Sequence, residues 1–177
     1  MFQKWRIYLT GLALLALGAC STVTVAPAPK LASGDIIAVL PMANYTETPE
    51  AGRRAASMAF SLLRVQNGGG VIQDTNQAGG DPLLGDADPQ ALTHALDWAR
   101  QANARYALTG SVQEWRYKVG VDGEPAVGLT FNLIDLSNGQ TVWSAAGSRS
   151  GWSRSGLAAV GQTLIGSLLR PLQPGTR

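Results

Sequence analysis

The chain offers one thiol, Cys20, and one imidazole, His94, and the two stand in settings that suit different chemistry. His94 lies inside a stretch of helical period, where it shares a face with Asp97 at i,i+3. No nucleophile motif accompanies the pair, so His94 reads as a surface or boundary residue. Asp81, Asp86 and Asp88 crowd one loop without the ligand spacing of an EF-hand. A solvated loop is the plain reading there, with weak calcium binding as its rival. Gly68, Gly69 and Gly70 lack the Lys-Ser/Thr that completes a phosphate loop. Twelve scattered carboxylates single out no glycosidase pair. The residues predict no catalytic group, no metal site and no cofactor.

Cys20 closes the run Leu17-Gly18-Ala19-Cys20. Before it, Lys4 and Arg6 form a positive n-region, and Ile7 to Leu17 is apolar but too short to span a bilayer. This resembles the lipobox of bacterial lipoproteins, in which a thiol accepts the lipid and small residues fit the peptidase. The expectation is a signal peptide over 1–19 and a mature chain that begins at acylated Cys20. Acylation also removes an otherwise unpaired thiol from an exported protein. Several acyl chains, at about 0.8 kcal/mol per buried methylene, hold such a chain on a membrane. Ser21 follows the cysteine, where lipoproteins kept at the inner membrane usually carry aspartate. The resemblance thus favours the outer membrane, periplasmic face.

The 14 basic residues exceed the 12 acidic ones by two, and those two are Lys4 and Arg6. Without the leader the balance is zero, so no argument for nucleic acid survives. What remains is enough chain for one domain with its own core. After Asp135 no acid follows, while Arg149, Arg154, Arg170 and Arg177 do. Such asymmetry can put opposite signs on opposite faces, which matters where one face meets lipid headgroups.

Residues 20–35, with Pro27 and Pro29, read as a flexible tether. Ile36 to Leu40, closed by Pro41, reads as a buried strand. Thr48 or Pro49 opens a helix to about Val65, in which Ala55, Met58, Ala59, Leu62 and Leu63 share a face. Val71 to Gln73 is a candidate short strand. Asp88 and Pro89 supply a cap and first turn for a second helix carrying Leu92, Leu96 and Ala99. From Arg105 the period becomes two, and Asp122-Gly123 and Asn138-Gly139 supply turns between strands near 105–119, 126–136 and 140–146. Ser155 caps a last helix that ends at Pro171. The fold expected is α/β (α+β): a mixed sheet with a C-terminal antiparallel meander flanked by helices, in one globular domain over 36–172 with a tail at 173–177.

Trp98, Trp115 and Trp143 fall within regular structure and read as packing residues. Trp152 differs. It stands in Gly151-Trp152-Ser153-Arg154, between a strand and a helix, with Arg149 and Arg154 nearby. A buried ring and an interface anchor both fit that position.

Several segments carry a wider resemblance. Leu40-Pro41-x-Ala43-Asn44-Tyr45-x-Glu47-Thr48-Pro49, Ala95-Leu96-Asp97-Trp98-Ala99-Arg100 and Glu114-Trp115-Arg116-Tyr117-Lys118 resemble the PelC family, as do Asp122 to Leu129 and Gly151 to Arg154. PelC proteins are outer-membrane lipoproteins of the Pel exopolysaccharide export machinery. The resemblance implies a fold similar to the TolB amino-terminal domain. It also implies a closed homo-oligomeric ring, a dodecamer in that family, beside the Pel outer-membrane porin (PelB-like). Pel polysaccharide is cationic, so an acidic ring can gather it and guide it to the pore. On this reading Asp122 supplies the acidic charge, against the plain alternative that Asp122-Gly123 only makes a turn. Trp152 would face outer-membrane lipid, with Arg149 and Arg154 reaching phosphates. Two rivals stand beside it: a generic TolB-like periplasmic lipoprotein that binds a protein partner, and a sugar-binding or hydrolytic accessory.

Overall fold

A computed structural model describes residues 21–32, 34–67, 70–74, 89–120 and 123–173. Its elements follow in the order β1 (Ser21–Val25), β2 (Ile37–Val39), β3 (Ala43–Asn44), α1 (Ala51–Asn67), β4 (Val71–Gln73), α2 (Pro89–Gln101), β5 (Tyr106–Tyr117), β6 (Pro125–Asp135), β7 (Gln140–Ser150) and α3 (Leu157–Leu169). A short 3-10 turn, Arg170–Leu172, closes the described chain.

The strands form one mixed sheet in the order β1-β7-β6-β5-β2-β4, with β3 also pairing β5. β2 is parallel to both its neighbours and is apolar throughout because both of its faces are covered. β5, β6 and β7 form the antiparallel meander, as the two turn dipeptides predict. Gly123 and Gly139 hold φ of +52° and +73°, which side chains other than glycine adopt at a cost.

Two apolar layers sandwich part of this sheet. On one face α1 and α3 cover Ile37, Leu108, Leu129, Phe131, Leu133 and Trp143. α1 presents mostly alanine there, since Ala51, Ala55, Ala56 and Ala59 are buried, and such short side chains let the helix sit close to the strands. α3 meets the core with Val160, Leu164, Ile165 and Leu168. Gly161 is required by close approach: a Cβ there would lie 2.7 Å from Cη2 of Trp115. On the other face α2 covers only the β2 and β5 region, through Ala95 and Ala99 against Ala38 and Ala107. Beyond α2 that face is polar, with Ser111 bonded to Thr130 (2.8 Å) and Ser144 donating to Asn132 Oδ1 (2.7 Å).

Three boundaries depart from the sequence reading. Within the tether expected over 20–35, Ser21–Val25 is a strand at the sheet edge, antiparallel to β7. The Thr-Val-Thr-Val alternation supplies the period-two signal, and Val25, Ala28 and Leu31 pack against the main core. β7 runs four residues past the expected end, because Gly147 to Ser150 pair with β6, and Gly147 to Arg149 also with β1, despite having no apolar alternation. The last helix is capped by Gly156, without a side-chain bond, and not by Ser155. Ser155 instead donates its backbone N–H to the Trp152 carbonyl at 2.8 Å.

Candidate functional site

The register of the sheet brings four strand ends together. Tyr117 at the end of β5 faces Pro125 at the start of β6, Ala126 faces Ser150 at the end of β7, and Ser21 at the start of β1 faces Arg149. The loop between β7 and α3 folds over this end. The Gly151 N–H donates to the Pro125 carbonyl at 2.8 Å, and the Ser155 bond to Trp152 closes the turn. Gly151 has no room for a side chain, since a Cβ would lie 2.5 Å from Cγ2 of Val160. That tight path places Trp152 on the outside, where it is 61% exposed. A shallow groove of about 170 Å³ runs between Trp152, Arg149, Ala159 and Thr163.

Other groups of this end escaped the sequence reading. Tyr117 is 51% exposed, and its hydroxyl accepts the Leu157 N–H at 3.1 Å, an open donor in the first turn of α3. Val119 is fully exposed. Lys118 donates to Ser150 Oγ at 2.8 Å, bridging β5 to β7 across β6. Arg116 pairs with Glu114 at 3.1 Å. The signal available in sequence was the large apolar Val119 beside Gly120 in a turn, where core demand does not explain it.

Arg149 is half-buried on β7, and Arg154 is exposed on the loop. Trp152, Arg149 and Arg154 are thus brought to one end of the molecule. Asp122 and Cys20 lie outside the described residues, as do residues 1–19 and the tail from 174. The hairpin that contains Asp122 is closed by the Lys118 N–H donating to the Glu124 carbonyl at 2.7 Å, at the same end of the sheet.

The candidates for other chemistry do not converge. His94 is exposed on α2, and Asp97 pairs with Arg100 at 2.9 Å. Asp81, Asp86 and Asp88 lie outside the described residues. Among the described residues no group of three His, Cys, Asp or Glu could hold a metal ion. Among the described residues Asp135 is the buried carboxylate, 7% exposed, and its role is local. It accepts the Ser137 hydroxyl at 2.6 Å and the Ser137 N–H at 2.9 Å, which hold its pKa below the usual carboxylate value, and Arg105 at 2.8 Å adds to this. An open groove of about 510 Å³ between α1 and α3 is lined by Arg54, Met58, Leu62, Val65, Gln162 and the hydroxyls of Ser57 and Ser61, with no acid or imidazole in the lining to activate them. Trp115 and Trp143 are buried at 2% exposure each, and Trp98 packs against the α2 layer.

No protein-family model and no curated protein matches the chain. Among solved structures, a PelC dodecamer from Paraburkholderia phytofirmans is 49% identical, with a TM-score of 0.75, over 89% of this chain and 100% of that one. The chain belongs to the PelC family. A single-substitution variant of that PelC dodecamer matches at 50% identity, again with a TM-score of 0.75, over 87% of this chain and 99% of the other. Lipoprotein GNA1162 from Neisseria meningitidis, 17% identical with a TM-score of 0.56 over 78% of this chain and 97% of that one, shares the fold alone. The mixed sheet, the meander and the flanking helices are therefore those of a PelC fold. No helix among the described residues is long and apolar enough to cross a membrane.

Proposed function

We propose that this chain is a non-enzymatic outer-membrane lipoprotein, acylated on Cys20, that closes into a ring with copies of itself. The ring guides cationic Pel exopolysaccharide to its outer-membrane porin. The observation that carries the reading is the likeness, near half identity over almost the whole domain, to PelC proteins that form dodecamers. Ring closure follows from repeating one heterologous contact around an axis.

Within the ring, Asp122 provides the charge that meets the polymer. One carboxylate per subunit is a weak site, but a dozen around one opening sum to a potential that concentrates a polycation and weakens with salt. Trp152 sits at the headgroup level of the membrane, with Arg149 and Arg154 on lipid phosphates. What supports this is the exposure of the indole on a loop otherwise made of Gly, Ser and Arg.

The test is polymer secretion from cells that lack the chain and are complemented with variants. Asp122→Lys, stably expressed and assembled, should abolish most secretion, and Cys20→Ser should leave a precursor that takes up no labelled palmitate. Wild-type secretion with Asp122→Lys would show that this residue does not guide the polymer.

A further inference from the structure

The two faces of the sheet are covered unequally. α1 and α3 close the core on one face, whereas α2 covers the other only over β2 and β5. The remainder of that second face, across β6, β7 and β1, lacks the charge that water-facing surfaces normally carry. Thr109 to Gln113, Gly128 to Asn132, Ser144 to Ser148 and Ser21 to Val25 contain no Asp, Glu, Lys or Arg. The aromatic residue among them, Phe131, is buried in the main core.

The polar groups of this open face are largely spent on one another. Ser111 bonds to Thr130 at 2.8 Å, and Gln113 Nε2 donates to those two hydroxyls at 2.8 and 3.3 Å. Ser144 donates to Asn132 Oδ1 at 2.7 Å. Groups paired in this way can be covered by a partner without being left unsatisfied. A sugar would instead look for free donors and a ring to stack on. The face suits a protein surface.

The opposite side of the molecule has a matching character. α3 carries no charged residue over Leu157–Leu169, although Ala158, Gln162 and Thr163 are exposed on it. A helix face that meets only water is normally charged or strongly polar. Beside α3, the open groove is lined by Met58, Leu62 and Val65 of α1, and Val65 is 86% exposed. Arg54 is the charge in that lining, and arginine is the cation that interfaces accept most readily. Two uncharged surfaces therefore lie back to back across one sheet.

Surfaces on opposite sides cannot meet within one subunit, but each can meet its complement on another copy. A ring is built from one contact between two unlike patches, repeated until it closes. PelC relatives near half identity assemble as dodecamers. We propose that the α1–α3 layer of each subunit packs on the open β6–β7 face of the next, completing the helical layer that α2 begins. The occupant of the open face is thus a second copy of this chain. The proposal rests on the ring reading above and assigns the two patches that make the ring.

The experiment uses the full lipidated chain in mild detergent, read by native mass spectrometry. Ser144→Arg with Ser148→Arg puts two charges on the open sheet face. Ser57→Arg with Gln162→Arg puts two on the helical layer. All four positions are exposed, so near-ultraviolet circular dichroism should show each double variant folded. Each alone should lose the ring and run as a monomer. Mixed, they should form a 1:1 heterodimer and nothing larger, because one intact patch remains on each and the pair cannot extend. With Cys20 acylated, Ser61→Cys in the sheet-face variant and Ser148→Cys in the helical-layer variant allow a short bismaleimide to trap even a weak heterodimer. A ring that survives either double variant would overturn the proposal and leave the ring reading standing. Monomers that give no trapped heterodimer, or that trap like with like as readily, would overturn it too. A monomeric parent chain would instead remove the ring reading, and these patches with it.

Discussion

The indole Nε1 of Trp143 donates to the carbonyl of Ala26 at 2.9 Å, joining the middle of β7 to the segment that leaves β1. Trp143 is 2% exposed, so the bond is made inside the core, and it anchors a stretch whose sequence looks like a linker. Trp143→Phe keeps most of the ring but leaves the carbonyl without its donor. The expected cost is about 1–3 kcal/mol in urea unfolding. Trp143→Ala, which also empties the site, should cost about 3–5 kcal/mol. Equal stability of wild type and Trp143→Phe would show that the segment after β1 is not held by this bond.

Two glycines of α3 should respond to alanine with opposite sign. At Gly161 a Cβ would lie 2.7 Å from the buried Trp115 ring, so Gly161→Ala should destabilise by about 1–3 kcal/mol. At Gly166 the nearest atom is Leu62 Cδ1 at 4.0 Å, so Gly166→Ala should gain about 0.5–1 kcal/mol from helix propensity. A double-mutant cycle of Gly161→Ala with Trp115→Leu should show coupling, because the smaller side chain frees the space. Additive effects would contradict the close approach.

Asp135 gives a pH dependence with a defined sign. The Ser137 hydroxyl and N–H, followed by Arg105, stabilise its charged form and lower its folded pKa. A group depressed in this way contributes stability that is fully present above its unfolded value, near 4, and lost as pH falls through the folded value. Ser137→Ala should raise the Asp135 pKa and reduce that contribution at neutral pH. Carboxyl NMR titration of the two proteins checks it, and an unchanged Asp135 pKa would refute the assignment of cause.

Trp152→Ala should separate folding from function. A ring that is 61% exposed contributes little to the core, so unfolding should change by less than about 0.5 kcal/mol. Polymer secretion should fall. A loss of several kcal/mol would mean that the indole is a packing residue after all.

Much of the fold was legible because strong local signals agree with the tertiary result. The apolar run of β2, the period of β5 and the glycines at 123 and 139 each fix an element. β1 was not legible, since Pro27 and Pro29 just beyond it give a linker composition and its strand character depends on a partner 120 residues away. The extension of β7 was hidden for the same reason: Gly147 to Arg149 are strand because β1 and β6 flank them, and Ser150 because it pairs with β6. At the site, the exposed Trp152 could be suspected from its Gly/Ser setting. That the ends of β5, β6, β7 and β1 come together beneath its loop could not, because that depends on register across four strands.

The central claim is that this chain works as a closed ring of identical subunits, and native mass spectrometry of the full lipidated chain, released from its membrane in mild detergent, tests it most directly. A single charge series at twelve subunits, the number formed by its PelC relatives, is the result expected. A monomer at the same concentration would contradict the account.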